Sequence, residues 1–409
     1  MVHQEPSLVY YLEVRREIME RILKLQELMK AKDVAGALIV QRADLFYLSG
    51  TAQNGHLFVP ADGEPLLVVR KNLERARQES GLPRIVPFEG WSQLAAAIKS
   101  ITGEKGTIGL ELDLLPAKIY FHYQDLLAPH ITADISPLVR RIRAVKSAAE
   151  IELLRKAAVL STSVFNFARE IIREGMTEVE LAAKLESFAR ARGHQGAVRM
   201  RGFNQELFYG HVMAGENAAL PSFFDGPTGG PGLNPSYPQG AGRRVIMRNE
   251  PVLVDYVTVL NGYMVDQTRI FCIGSLSSEL AEAYKTAVKI KEALRTLGKP
   301  GVRCEELYMR AIEMADEAGL AQHFMGYDEK VGFIGHGVGI ELDELPVIAA
   351  KAEAALEAGM VFALEPKFMF PGQGVVGIED TCVVREEGLE QITRFDQGIQ
   401  SIKALRVTG

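Results

Sequence analysis

The chain has 409 residues, 47% of them hydrophobic and 24% charged, which is typical of a soluble globular protein of about two domains. Its formal net charge of -6 argues against nucleic acid or an anionic membrane as the main partner, and its three scattered cysteines argue against a disulfide framework. We find no signal-peptide pattern and no apolar run long enough to span a membrane, so we expect a cytoplasmic protein.

The first third of the sequence alternates helical and extended patterns. Residues 16–36 carry apolar side chains at three- and four-residue spacing, which predicts an amphipathic helix that ends near Gly36. The segments GALIVQ, HLFVPA, PLLVVR and TIGLELD read as strands, whereas WSQLAAAIKSI and PAKIYFHYQDLLA read as helices. This alternation predicts an α/β domain over residues 1–140.

Residues 141–409 form the second predicted domain. A basic stretch at 138–158 opens a long helical region, and we interpret it as a solvated helix start rather than a nucleic-acid surface. Thr177 and Glu180 form a capping-box pattern at the start of another helix. The remainder is mostly extended, with one helical block over about 277–320. The Pro- and Gly-rich loop 222–242 fits either an active-site wall or lid, or a surface excursion.

Two strand patterns flank Asn261-Gly262, the strongest short-range signal for a β-hairpin. A two-residue turn there places Asp255 opposite Thr268 and puts Asp255 and Asp266 on the same face, as diagonal neighbours. Two carboxylates on a mostly apolar face need either exposure to water or a cation between them. The spacing alone leaves both alternatives open.

Further acidic residues interrupt apolar runs near the C-terminal end. Glu365 follows GMVFAL and precedes a proline, and Glu379 lies within GVVGIEDTCVV. His336 lies between glycines in FIGHGVGIELDELP. Together with Asp255 and Asp266 these residues supply hard oxygen donors and one imidazole, which suit Mn, Fe, Co or Zn.

The order of these residues carries a resemblance to a known family. An aspartate, a second aspartate eleven residues later, a GHGVG histidine, a glutamate in an EP dipeptide and a glutamate in IED resemble the creatinase/prolidase family of pita-bread metallopeptidases. LFYLSG is similar to the N-terminal domain of that family, and VKSAAEIELLRKAA resembles the segment that opens its catalytic domain. The resemblance covers nearly the whole chain. It implies an α/β N-terminal domain followed by an α+β pita-bread catalytic domain.

The resemblance also implies roles for individual residues. It assigns two divalent metal ions (Mn, Co, Zn or Fe) to ligands from five residues: Asp255, Asp266, His336, Glu365 and Glu379. Asp266 and Glu379 would bridge the ions, and Glu365 would accept the proton of the attacking water. It further implies a homodimer whose substrate is a small peptide, with cleavage before proline by a dipeptidase or aminopeptidase.

The sequence departs from the family pattern at three places. Asp343 stands where a second histidine is usual, and either Ser222 or Ser236 stands where another histidine follows proline. Gly377 stands where an arginine commonly precedes IED. Missing donors of this kind normally stabilise a developing oxyanion. We therefore expect either prolidase-type cleavage with weakened oxyanion stabilisation at Asp343, or altered specificity with Asp343 serving as a base or as the partner of a substrate cation, and we favour the second.

Because of these departures, other histidines could replace the missing groups, and functions other than peptide cleavage are also considered. His211 is a candidate at the edge of the site, and His56 is a candidate that would act across a dimer; the alternative for both is an ordinary surface histidine or a loop histidine with its hydrogen bonds satisfied. The remaining histidines are interpreted as structural: His3, His122, His130, His194 and His323. The alternatives to a peptidase are a metal enzyme of the same fold acting on a small non-peptide molecule, by C–N hydrolysis or as a lyase, and a non-catalytic binding module.

Overall fold

The structure, a computed structural model, describes residues 8–328 and 330–402, with side chains from residue 15 onward. The predicted structural role of His3 therefore lies outside the described residues. The chain divides after Arg143 into two compact units, which are described in turn. Within the described residues no helix is long and apolar enough to cross a membrane.

The first unit is a mixed sheet with helices. Its elements are α1 Leu8–Ala31, β1 Gly36–Ile39, α2 Arg42–Ser49, β2 Gly55–Pro60, β3 Leu66–Val69, α3 Leu73–Glu79, β4 Ile85–Pro87, α4 Trp91–Thr102, β5 Thr107–Leu110, α5 Ala117–Leu127, β6 Ile131–Asp134 and α6 Ser136–Ala144. The strand order is β4-β3-β2-β1-β5-β6, in which β1-β2 and β2-β3 are antiparallel and the other pairs are parallel. Apolar side chains of α4 and α5 pack with those of β1, β2, β3 and β5.

Helix α1 ends earlier than the sequence pattern predicts. It stops at Ala31 rather than near Gly36, because Asp33 adopts a left-handed conformation with φ 54° and Gly36 already belongs to β1. A side chain at 36 would collide with the ring of Phe58 on β2, so the glycine serves the close approach of two strands and not the end of a helix.

The second unit contains a larger sheet flanked by two pairs of helices. Its elements are α7 Ala148–Ile171, α8 Glu178–Arg190, β7 Gly210–Ala214, β8 Val252–Leu260, β9 Tyr263–Ile273, α9 Ser278–Leu297, α10 Cys304–Glu317, β10 Phe333–Gly337, β11 Glu344–Ala349, β12 Val361–Leu364, β13 Lys367–Phe370, β14 Gly374–Gly377, β15 Glu379–Arg385, β16 Gly388–Gln391 and β17 Gln400–Ile402. The main strand order is β11-β10-β12-β15-β9-β8-β7, and β13 pairs with β14 separately.

Each helix pair of this unit has its own apolar cluster. Side chains of α7 and α8 pack with those of β7, β8 and β9, whereas α9 and α10 pack with β10 to β15. The capping box predicted at Thr177 and Glu180 is confirmed at the start of α8.

Each of the two helical regions predicted from the sequence consists of two helices. The region after 138 breaks between α6 and α7, where Ser147 and Glu150 form a second capping box. The block at 277–320 breaks between α9 and α10, at the GKPG stretch that contains Gly301 with φ 89°. Both breaks follow rules of helix termination that are readable in the sequence.

Candidate metal centre

Neighbouring strands of the second sheet carry the predicted ligands. Five consecutive strands of the sheet are involved, in the order β10, β12, β15, β9 and β8. Each strand provides one predicted ligand, either from within the strand or from the residue directly after it. In that order the residues are His336, Glu365, Glu379, Asp266 and Asp255. Segments far apart in the sequence therefore meet on one side of the sheet.

The hairpin of β8 and β9 has the register that its turn predicts. Asp255 pairs with Thr268 and Val257 with Asp266, while Asn261 and Gly262 both have positive φ, as a tight hairpin turn requires. Glu379 on β15 then pairs with Thr268 from the other side and accepts a hydrogen bond from its hydroxyl at 2.7 Å. The register of two strand pairs thus brings three acidic residues together.

The ring of His336 is oriented for a metal. Its Nδ1 lies 2.7 Å from the carbonyl oxygen of Leu342, which can only accept, so Nδ1 carries the proton and Nε2 presents a lone pair. Nε2 lies 3.7 Å from Glu365, 3.9 Å from Asp266 and 3.9 Å from Glu379. A carbonyl behind a histidine is the usual way in which proteins fix the ring of a metal ligand.

The four carboxylates of the cluster are buried and crowded together, and His336 beside them is half-buried. One donor atom each from Asp266, His336 and Glu379 lies within 4.8 Å of the others, a geometry that could hold a metal ion. Burial, followed by the neighbouring carboxylates, holds the pKa of Asp266 well above its ordinary value. Burial raises the pKa of Glu379 to about 7, against the opposing effect of Lys367. A bound cation would relieve this crowding of acids.

Lys367 lies inside the cluster and is not among the site residues predicted from the sequence. Its Nζ donates hydrogen bonds to Glu365 at 2.7 Å, Glu379 at 2.7 Å and Asp255 at 3.0 Å. Burial by itself would lower the pKa of Lys367, but the three carboxylates outweigh it and hold that pKa well above its ordinary value. The available signal was a charged residue between buried apolar ones in EPKFMF, because a fully buried lysine needs partners.

Asp380, the neighbour of Glu379, faces the opposite side of the sheet. Its carboxylate accepts hydrogen bonds from Arg269 at 2.8 Å and from Lys291 at 2.6 Å, and both of those side chains are fully buried. Arg269 also donates to the backbone carbonyl of Glu379. This ion-pair network fixes the start of β15 from behind.

Asp343 links the segment around Arg201 to the loop that follows His336. Its carboxylate accepts a hydrogen bond from the backbone N–H of Arg201 at 2.7 Å, and the backbone N–H of Leu342 donates to the carbonyl of Arg199. The adjacent Glu344 is buried, pairs with Lys146 at 3.0 Å and accepts from the backbone N–H of Ile340. The loop that follows His336, between β10 and β11, is therefore held in place by two acids, of which Asp343 is half-buried.

His211 borders the cluster and is enclosed by the loop 222–242. It pairs with Asp255 across β7 and β8. Its ring is buried and hydrogen-bonded to Thr228 at 2.8 Å and Gln239 at 3.3 Å, both from the loop. Burial lowers the pKa of His211, so its ring is neutral at neutral pH. The loop therefore packs next to the site and is not a detached excursion.

The two candidate serines have partners within this loop. The hydroxyl of Ser222 donates to the carbonyl of Pro238, and the exposed Ser236 donates to the side chain of Asn234. A cavity of about 660 Å³ between α8, the segment before β7 and the loop is lined by His211 but by none of the five predicted ligands.

His56 lies in the first unit as a core histidine. Its ring, only 4% exposed, contacts the hydroxyl of Tyr123 at 3.0 Å and packs edge-on to Trp91. Its suggested role across a dimer has no support in this placement, because a side chain enclosed by its own domain cannot extend to another site.

Known proteins match both units. The model of metallopeptidase family M24 matches residues 152–386, which is more than half of the chain and includes every predicted ligand. The chain belongs to metallopeptidase family M24. The creatinase/prolidase N-terminal domain matches residues 21–145 of this M24 protein. The predicted family and the two-part fold, with a pita-bread catalytic unit, are confirmed, and the protein is a metal-dependent peptidase.

Relatives and solved structures extend over nearly the full length of this M24 metallopeptidase. It is 28% identical over 380 residues to the Xaa-Pro dipeptidase of Pyrococcus furiosus, covering 92% of this chain and 99% of that one. A prolidase structure from Pyrococcus horikoshii has a TM-score of 0.77 at 25% identity, with 92% and 99% covered. An Xaa-Pro dipeptidase structure from Bacillus anthracis has a TM-score of 0.80 at 25% identity, with 93% and 99% covered.

Proposed function

We propose that this M24 protein hydrolyses short peptides at the bond before proline, as an Xaa-Pro dipeptidase or aminopeptidase. The observation that carries the proposal is the convergence of the five predicted ligands on consecutive strands. The relatives named as Xaa-Pro dipeptidases, matched over nine-tenths of both chains, support this substrate class. We assign the peptidase chemistry to residues 141–409 and a creatinase-like N-terminal domain to residues 1–140.

The donor set fits a divalent transition metal. Asp266, His336 and Glu379 offer two carboxylates and one imidazole within coordinating reach, a combination that suits Mn, Co, Zn or Fe, and we propose Mn as the first metal to test. A divalent ion in such a site supplies Lewis acidity toward a peptide carbonyl and toward water. The count of two ions predicted from the sequence is supported by retention of all five ligands, but Lys367 lies among three of them.

The protein's own residues divide the remaining work. We propose that Glu365 accepts the proton of the attacking water, since one of its oxygens faces His336 while the other is held by Lys367. His211, neutral and buried beside Asp255, keeps the loop 222–242 against the site. Asp343 lies on the segment that follows His336, and we propose that its charge faces the substrate as a base or as the partner of a cation.

A peptide panel tests this function. The metal-stripped protein, reloaded with Mn²⁺ or Co²⁺, should cleave Ala-Pro, Leu-Pro and Arg-Pro, and a chelator should abolish the cleavage. Glu365→Gln should lower kcat by roughly 10²–10⁴-fold, because removal of a general base costs that much. Absence of cleavage across the panel by metal-loaded, folded protein would contradict the proposal.

The altered donors favour one competing function. Ser222 and Ser236 have partners in their own loop, and no histidine stands at 343, so groups that commonly serve peptide cleavage are replaced. C–N hydrolysis or elimination on a small non-peptide molecule is the alternative that this observation supports. Turnover of amidine or ureido compounds together with inert Xaa-Pro dipeptides would favour it.

A homodimer and a cytoplasmic location complete the proposed function. We propose a homodimer because the family resemblance implies one, and a cytoplasmic location because the three buried cysteines are free thiols. The overall acidity agrees with the absence of a nucleic-acid or membrane partner. Sedimentation as a monomer at micromolar concentration would contradict the dimer.

A further inference from the structure

Lys367 occupies a cation position within the ligand cluster. The side chain is 1% exposed, and its ammonium is within 3.0 Å of carboxylates from Asp255, Glu365 and Glu379. Three acidic partners around one buried ammonium is the coordination pattern of a cation site, with hydrogen bonds in place of metal–oxygen bonds.

Gly377 makes room for this lysine. Lys367 on β13 pairs with Gly377 on β14, and a Cβ atom at 377 would lie 2.6 Å from the lysine Cγ and 2.7 Å from its Cα. Any larger residue there would push against the stem of Lys367 or its backbone. The two unusual residues of the site are therefore coupled, since the absence of a side chain at 377 is what allows the ammonium into the cluster.

Two glutamates of the cluster divide their oxygens between two positions. Glu365 and Glu379 each direct Oε2 to the Lys367 ammonium and Oε1 toward His336 Nε2. Asp255 contacts the lysine side of the cluster, and Asp266 lies on the histidine side. The cluster therefore has two cation positions that share two carboxylates, and this chain fills one of them itself.

We infer that the protein binds one divalent ion per chain, at Asp266, His336, Glu365 and Glu379, with the Lys367 ammonium as a built-in second cation. A second ion would have to share carboxylates with the Lys367 ammonium, which is fully buried and has no exposed position to move to. The four carboxylates carry more negative charge than the single ammonium neutralises, so a cation is still favoured on the side of the cluster next to His336. This inference deepens the proposed function and rests on its metal dependence.

Metal counting in the intact protein tests the inference directly. Apoprotein titrated with Mn²⁺ and analysed by inductively coupled plasma mass spectrometry should take up about one ion per chain. Its Mn²⁺ electron paramagnetic resonance spectrum should show an isolated six-line signal. Uptake of two ions, an exchange-coupled signal or no uptake at all would each overturn the inference.

Substitution of the lysine should change that count. Lys367→Met keeps the length of the stem and removes the charge, so the variant should bind about two ions per chain. Lys291→Met is the matched control, because Lys291 is a buried lysine whose carboxylate partners, Asp380 and Glu292, lie outside the ligand set. Arg269 still pairs with Asp380 in this variant and keeps the start of β15 in place, so the variant should still bind one ion. A folded Lys367→Met protein that binds only one ion would overturn the inference.

The inference can still be tested if Lys367→Met does not fold or if the proposed substrate class is wrong. Should Lys367→Met fail to fold, the count and spectrum of the unmodified protein decide alone. The metal count is also independent of the peptide panel, so failure of the proposed substrate class leaves it standing. A peptidase that carries two ions would instead overturn the inference and leave the proposed function intact.

Discussion

At the scale of single residues, the cluster has a metal side and a lysine side. Asp266 and His336 lie on the first, Asp255 and Lys367 on the second, and Glu379 contacts both. The two aspartates, Asp266 and Asp255, therefore have different roles although their side chains are chemically identical. An ion should be held by direct bonds on the histidine side, whereas Asp255 acts on it only through the lysine and the shared acids.

This division predicts different outcomes for two matched substitutions. Asp266→Asn should weaken Mn²⁺ binding by more than about 100-fold, which exceeds the usual cost of losing an indirect partner. Asp255→Asn should weaken it by no more than about 10-fold, the lower end of that range. Isothermal titration of both variants gives the comparison. Equal losses in the two proteins would contradict the assignment of Asp255 to the lysine.

Asp343 permits a substitution that separates charge from structure. Asp343→Asn keeps an oxygen that can accept from the Arg201 N–H, so the tether seen in the structure survives. If the charge faces the substrate as proposed, kcat on the true substrate should fall by roughly 10²–10⁴-fold. Steady-state kinetics on the best substrate of the panel measures this, and an unchanged kcat would reduce Asp343 to a structural tether.

At the scale of elements, local signals predicted more than distant ones. The register of β8 and β9 followed from Asn261-Gly262, since a two-residue turn fixes all pairs of a hairpin. The position of Lys367 could not be read this way, because it depends on contacts with Asp255 and Glu379, which lie on other strands, the first of them far away in the sequence. The break before α7 was readable from Ser147 and Glu150, which form a capping box at the start of that helix.

The first unit should lose stability in acid through His56 on β2. Burial, then the charges of Arg70 and His122, lowers the pKa of His56 to about 4, below the 6.5 of the unfolded chain. The unfolded state therefore binds the proton more readily between these values. Stability is fully present above pH 6.5 and declines as the pH falls toward 4, by roughly 3 kcal/mol in total.

Trp91, the single tryptophan of the chain, reports on this unit because its ring packs edge-on to His56. Urea unfolding followed by Trp91 fluorescence should show a larger loss of stability from pH 7 to pH 4.5 in the natural protein than in His56→Gln. His56→Gln removes the titrating group, and its free energy of unfolding at pH 7 is the reference for its value at pH 4.5. Parallel losses in both proteins would contradict the assignment.

At the scale of the whole molecule, the sequence predicted the family and the division into two units, but the geometry of the site required the structure. The five ligand segments lie far apart in the sequence, and spacing alone placed only Asp255 and Asp266 together. Resemblance supplied the other three as a set. The strand order then shows why they converge, and it reveals the lysine that the resemblance does not include.

Anomalous X-ray diffraction from crystals grown with Mn²⁺ locates each ion relative to its ligands and therefore distinguishes a site for one ion from a site for two. We expect one anomalous peak per chain, at coordinating distance from His336 Nε2 and from carboxylate oxygens of Asp266 and Glu379. Lys367 Nζ should remain hydrogen-bonded to Asp255. Two peaks with Lys367 turned out of the cluster, or no peak among these residues, would contradict this expectation.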